Sequence, residues 1–185
     1  MAYTSQRTII ITLIFMIAIS PSLGRREKSK VKKDLKEFCA QTGKSKECWK
    51  IIKPKLREFH DTDPKTVADV ILDLARAKGD EIHEELNQLY KDSRDDGLKE
   101  KYLSCFKNYN DAIRNLNLAW RNLESDNYQN IPVQIDDTIE EMKGCRFEFN
   151  KDSFDPSHIR NREKEFRVYV DIAKVATFRL LNQLD

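Results

Sequence analysis

Glycine, proline and histidine are the scarce residues of this sequence. Five glycines and five prolines in 185 residues fall well below the ~12% that the two usually share. That excludes collagen-like and loop-dominated chains and leaves too few turns for a sheet-rich fold. The glycines are scattered, so a phosphate-cradling loop has no material. His60, His83 and His158 are the three histidines, and neither His-Glu-x-x-His nor Gly-x-Ser-x-Gly occurs. An excess of one charge is also missing. The 33 basic residues against 31 acidic give a net charge of +2, not the one-signed field of a nucleic-acid binder. The length supports one domain with a real core.

Long apolar runs are missing as well. The longest, Ile9–Ile19, is broken only by Thr12 and is shorter than the ~20 residues that span a bilayer. Followed by the small residues Ser22 and Gly24, it reads as a secretory signal cleaved after residue 24. Arg25, Arg26, Lys28, Lys30, Lys32 and Lys33 lie beyond that cut. The positive-inside bias would place them on the cytoplasmic side, so a retained N-terminal anchor is the alternative. With cleavage, no membrane contact is expected of the remaining chain. The Lys28–Lys36 run is interrupted by Asp34 and reads as a solvated helix face.

What is present is helical periodicity. Val31, Leu35 and Phe38 repeat at helical spacing, Thr42-Gly43-Lys44-Ser45 breaks the pattern, and Cys48, Ile51, Ile52, Leu56 and Phe59 take it up again, with Pro54 a disturbance. Asp63-Pro64 reads as an N-cap and first turn. Val67, Val70, Ile71, Leu74, Ile82 and Leu89 follow, Gly79 is a weak point, and Arg94-Asp95-Asp96-Gly97 ends the helix. Leu98, Tyr102, Cys105, Tyr109, Ala112, Leu116, Ala119 and Leu123 alternate steps of four and three, the seam of a packed bundle helix. Phe106, Ile113 and Trp120 broaden it. After the turn Ser125-Asp126-Asn127, a third stripe runs Ile131, Ile135, Ile139, Met142 and Cys145. Asp155-Pro156 opens a fourth, with Ile159, Phe166, Tyr169, Ala173, Ala176 and Leu180. The expected fold is all-α: an up-down-up-down four-helix bundle over residues 63–185, preceded by a helical hairpin over 25–62 and the signal peptide over 1–24.

Secretion would make the four cysteines disulfides. In an antiparallel hairpin, residues equidistant from the turn face each other. Cys39 and Cys48 straddle the Gly43-Lys44 turn, and Cys105 and Cys145 straddle Ser125. The pairs Cys39–Cys48 and Cys105–Cys145 are therefore expected.

Catalytic equipment is harder to find. Asp80-x-x-His83 and Asp155-x-x-His158 imitate the Glu-x-x-His of carboxylate-bridged metal sites in bundle cores. However, Asp155 stands at a helix start and His83 lies off its helix's apolar stripe. The histidines are expected at the solvated surface, and no metal or cofactor is expected. One surface strip stands out instead. Lys101, Ser104, Asn108, Asp111, Asn115, Leu118 and Asn122 run beside the main seam. From Asn108 to Asn122 this face has short side chains, which lose little rotamer entropy under a partner. Asn108, Asp111, Asn115, Leu118 and Asn122 are the candidate partner-binding residues, with helix-flank packing as the ordinary explanation.

These residues resemble a known family, the plant invertase and pectin methylesterase inhibitors. Cys39-x-x-Thr42 followed by Cys48 is similar to its opening disulfide hairpin. Cys105, Tyr109, Ala112, Leu116, Ala119, Leu123 and Tyr128, followed by Cys145 and Phe149, are similar to its bundle signature. Arg162 to Leu184, with Phe166, Ile172, Ala173 and Leu181, fits its last helix. The likeness covers residues 28–184 as a single inhibitor domain. It implies a non-enzymatic protein, monomeric when free, in the apoplast and cell wall or alternatively the vacuole. Such a protein would occlude the cleft of a pectin methylesterase in a 1:1 complex. Acid invertase is the alternative target, and a secreted bundle with a non-enzyme partner is a further one. The Pro-Lys-Phe tripeptide of many invertase inhibitors is not matched by Pro54-Lys55-Leu56 or Pro64-Lys65-Thr66, which favours pectin methylesterase. Gly144 before the last cysteine departs from the family pattern, as does the lack of an additional free cysteine.

Overall fold

The computed structural model describes residues 28–149 and 155–182; the expected signal peptide lies outside them. The described residues form helices and no strands: α1 (28–40), α2 (Ser45–Ile52), α3 (Pro64–Asp92), α4 (Asp96–Glu124), α5 (Ile131–Glu148) and α6 (Ile159–Leu181). Short 3-10 turns follow α2 at Lys53–Lys55 and precede α5 at Tyr128–Asn130.

Three of the four bundle helices, α3, α4 and α6, begin where a side chain satisfies their open N–H groups. Asp63 accepts from the backbone of Lys65 and Thr66 at 2.9 and 3.2 Å, with Pro64 following where no N–H is needed. Asp95 does the same for α4 through Leu98 N at 2.7 Å. Asp96 and Gly97 thus open α4 rather than end α3. Asp155 caps α6, but from outside the helix. Its carboxylate receives Ile159 N and Arg160 N at 2.9 and 3.2 Å, so α6 starts at Ile159 and Pro156 sits in the preceding turn.

Two other expectations need correction. α2 stops at Ile52 instead of running to Phe59, because Pro54 has no N–H to donate and the chain tightens into a 3-10 turn. Gly79 does not weaken α3, which is continuous through it. A Cβ there would stand 3.0 Å from Ile113 Cγ1 and 3.1 Å from Phe166 Cζ. Glycine is what lets α4 and α6 approach α3 at that level.

Helix neighbours fix the topology. α3 packs on α4, α4 on α5, α5 on α6 and α6 back on α3, with no strong contact across either diagonal. That is a square up-down-up-down bundle. Its core takes the expected seam: Tyr102, Cys105, Tyr109, Ala112, Leu116, Ala119 and Leu123 of α4 are buried, as are Ile131, Ile135, Ile139, Met142 and Cys145 of α5. Both disulfides form as the spacing predicts, Cys39–Cys48 with Cα atoms 5.4 Å apart and Cys105–Cys145 with 4.4 Å. The hairpin α1–α2 docks beside α6. Lys44 reaches Asp171 at 3.2 Å, and the Arg179 guanidinium lies 5.5 Å from the Phe38 ring centre.

Candidate functional site

The surface strip of α4 lies along the α4–α5 seam, and that seam consumes part of it. Ser104 Oγ donates to Glu148 Oε1 at 2.8 Å. Asn122 Nδ2 donates to Gln134 Oε1 at 2.9 Å. The Asn108 amide covers Gly144, where a Cβ would come within 2.9 Å of its Nδ2. The obstructing atoms there are the far end of the Asn108 side chain. Lys101 spreads over the Phe149 ring, its ammonium 5.5 Å from the centre. Asn122 therefore bridges the two helices, and Asn108 packs between them, whatever else they do.

The middle of the strip is different. Asp111 pairs along its own helix with Arg114 at 3.3 Å, Asn115 is half-buried, and Leu118 is 40% exposed. Across the seam, Glu141 has its carboxyl pushed up, by partial burial first and by the Asp111 carboxylate second. Asp111, Asn115 and Leu118 thus form a small patch with an acidic edge. Phe147 of α5, at 75% exposure, is a large apolar side chain on the surface that a search for helical seams passes over. It stands off the α5 stripe, so only structure draws notice to it.

The polar groups inside the bundle are structural. Lys78 is buried and reaches Glu81 at 2.9 Å and Glu165 at 3.2 Å. Burial pulls its ammonium down, but the two carboxylates outweigh that and leave it raised. Trp120 Nε1 donates to Asp69 at 2.8 Å, beneath the Arg76 guanidinium, which ties α3 to α4. The Tyr109 phenol is buried without a hydrogen-bond partner, and burial pushes it up, helped by Glu163. Glu163 is itself almost wholly buried. Burial raises its carboxyl, while Arg146 and Arg167 pull the other way.

The histidines divide. His60 and His158 are exposed, as expected. His83 is only partly exposed: it stacks on Phe106 with ring centres 4.1 Å apart, and its Nε2 is buried and unpartnered. The i to i+3 spacing from Asp80 hid this, because the contact comes from α4. Among the described residues, no three His, Cys, Asp or Glu side chains gather closely enough to hold a cation, and no helix is long and apolar enough to cross a membrane.

Comparison with known proteins gives three findings. The profile of the family described as "Plant invertase/pectin methylesterase inhibitor" matches residues 33–176. A protein named "Pectinesterase inhibitor" from Actinidia deliciosa is 24% identical over 175 residues, covering 94% of each chain. Two solved structures share the fold. A mutant form of a pectin methylesterase inhibitor from Arabidopsis has a TM-score of 0.66 at 22% identity, covering 76% of this chain and 92% of that one. A pectin methylesterase inhibitor from Arabidopsis thaliana has a TM-score of 0.59 at 21% identity, covering 79% and 95%.

Proposed function

Because this chain belongs to the plant invertase/pectin methylesterase inhibitor family, we propose that it is a secreted, non-catalytic inhibitor of a pectin methylesterase, acting as a 1:1 complex that covers the enzyme's cleft. The observation that carries this reading is the reach of the family match. It takes in both disulfides, the helices α3, α4 and α5 whole, and most of α6. A bundle so braced presents its surface without having to order it on binding, which lowers the entropic cost of association. The proposed contact is the patch Asp111, Asn115 and Leu118, flanked by Asn108 and Asn122. Cleavage after residue 24 would deliver the protein to the apoplast and cell wall, where such an enzyme works.

The test is a titration of residues 25–185 against a pectin methylesterase and an acid invertase at mildly acidic and neutral pH. Loss of esterase activity that reaches its end-point at one inhibitor per enzyme is the expected result. Asn115→Arg, which puts a long charged side chain on the patch, should weaken inhibition about tenfold or more, the equivalent of ~1.4 kcal/mol. Inhibition of invertase alone would transfer the assignment to the other branch of the family, and inhibition of neither would refute the reading. Undiminished inhibition by N115R would remove the patch from the contact.

A further inference from the structure

The near-zero net charge conceals a segregation. Residues 28–58, which hold the hairpin, carry eleven Lys and Arg against four Asp and Glu, a net +7. Residues 59–185 carry nineteen against 26, a net −7. Among the described residues, only Lys33, Lys44 and Lys55 of those eleven cations pair with a carboxylate. The excess is therefore displayed to solvent rather than cancelled locally. Part of it converges. Lys28 and Lys32, one turn apart on α1, join Arg57 and His60 around a groove of about 620 Å³ floored by Val31, Leu56 and Phe59, and no acidic residue among the described ones lines it.

The composition of this face narrows what it fits. Ten of the eleven cations are lysines, point charges without the bidentate fork through which Arg reads phosphates. Among the described residues, the large apolar side chains that stand exposed, Leu118, Val133, Phe147 and Phe178, all belong to bundle helices, so the described hairpin has nothing comparable to insert into a bilayer. A concave apolar floor between spaced single charges matches a polymer of rings that each carry one carboxylate.

We propose that the basic hairpin is a docking surface for a linear polycarboxylate, a polyuronate whose carboxylates lie along Lys28, Lys32 and Arg57 while its ring faces cover Val31, Leu56 and Phe59. The choice of a polyuronate among polyanions rests on the function proposed above, since hydrolysis of pectin methyl esters uncovers carboxylates. The acidic bundle is repelled by the same polymer and points away from it. Docking thus orients the molecule as well as holding it, with the α4–α5 patch left free.

Binding of residues 25–185 to polygalacturonate, in the absence of any enzyme, tests this by co-sedimentation or calorimetry. Binding at low salt is expected, weakening about a hundredfold for a tenfold rise in salt if three cations each release about 0.7 counterion. Highly methyl-esterified pectin should bind far more weakly. The triple variant K28Q/K32Q/R57Q should lose at least tenfold in affinity with an unchanged far-UV CD spectrum. K107Q/R121Q/K164Q, which removes three exposed, unpaired cations of the bundle, should bind as the parent does. Equal binding of esterified and de-esterified polymer, full binding by the hairpin variant, or tighter binding to heparin or to phosphatidylserine vesicles would overturn the proposal. Esterase inhibition is measured separately. Its loss with polymer binding intact would refute the proposed function and leave the docking surface standing.

Discussion

Gly79 and Gly144 invite the same substitution and should respond with opposite signs. In a helix interior, alanine is favoured over glycine by about 1 kcal/mol. At position 79 the new Cβ would stand 3.0 Å from Ile113 Cγ1 and 3.1 Å from Phe166 Cζ, and the Phe166 ring is fully buried with nowhere to move. Overpacking of that kind costs about 1–3 kcal/mol. Gly79→Ala should therefore destabilise by about 1 kcal/mol net, lowering Tm by roughly 2–4 °C for a chain of this size. At position 144 the obstructing atoms are those of the Asn108 amide, the end of a half-buried side chain that can swing outward. Most of the helix-propensity gain should survive, so Gly144→Ala should be neutral or stabilising by up to about 1 kcal/mol. Thermal and urea unfolding followed by CD measure both. A double-mutant cycle of Gly79→Ala with Phe166→Leu isolates the contact, because shortening the ring should relieve the strain and give a favourable coupling of about 1 kcal/mol. Gly79→Ala raising stability by about 0.5 kcal/mol or more, or a cycle with no coupling, would refute the close three-helix packing inferred at this level.

Two further outcomes follow from the bridges and the core. Removing Cys105–Cys145, which spans 40 residues of sequence against 9 for Cys39–Cys48, should cost roughly 3.9 kcal/mol against roughly 2.6 by loop-closure entropy; urea unfolding of the paired Cys→Ser variants ranks them, and equal losses would contradict the chain-entropy account. Glu163 has its carboxyl raised by burial, so the folded state holds that proton more tightly than the unfolded chain does. Its contribution to stability is then fully present below the ordinary glutamate range and lost as pH rises through the raised folded value. Glu163→Gln should gain on the parent as pH rises from acidic to neutral, and a Tm difference independent of pH would contradict the assignment.

How much the sequence disclosed depended on where each constraint sits. The α4 seam and the cysteine pairing were legible because both are set by spacing along one helix or across one turn. The end of α2 was half-legible: Pro54 was visible as a disturbance, but Leu56 and Phe59 continued the apolar pattern and masked the stop. They contact the core from a turn, which periodicity cannot distinguish from another helical step. The surroundings of His83 and Asn108 are hidden from the sequence for a common reason. Their environments come from Phe106 and Gly144 on neighbouring helices, and a single helix's pattern has no record of what faces it. The charge segregation was open to simple counting, yet a balanced total concealed it until the hairpin and bundle could be counted as separate bodies.

The order of synthesis gives α6 a particular burden. Of the described helices it is the last to leave the ribosome, yet it closes the square between α3 and α5 and also receives the hairpin through Asp171 and Arg179. Until it arrives, α3, α4 and α5 can supply only three sides of the square, with nothing to cover the apolar level of Gly79 and Tyr109 that Phe166 fills. Cys105 and Cys145 can join during that interval, since both belong to helices already made. A chain truncated before α6 would thus keep both partners of its long bridge while leaving uncovered the apolar surface that α6 packs against, an aggregation hazard.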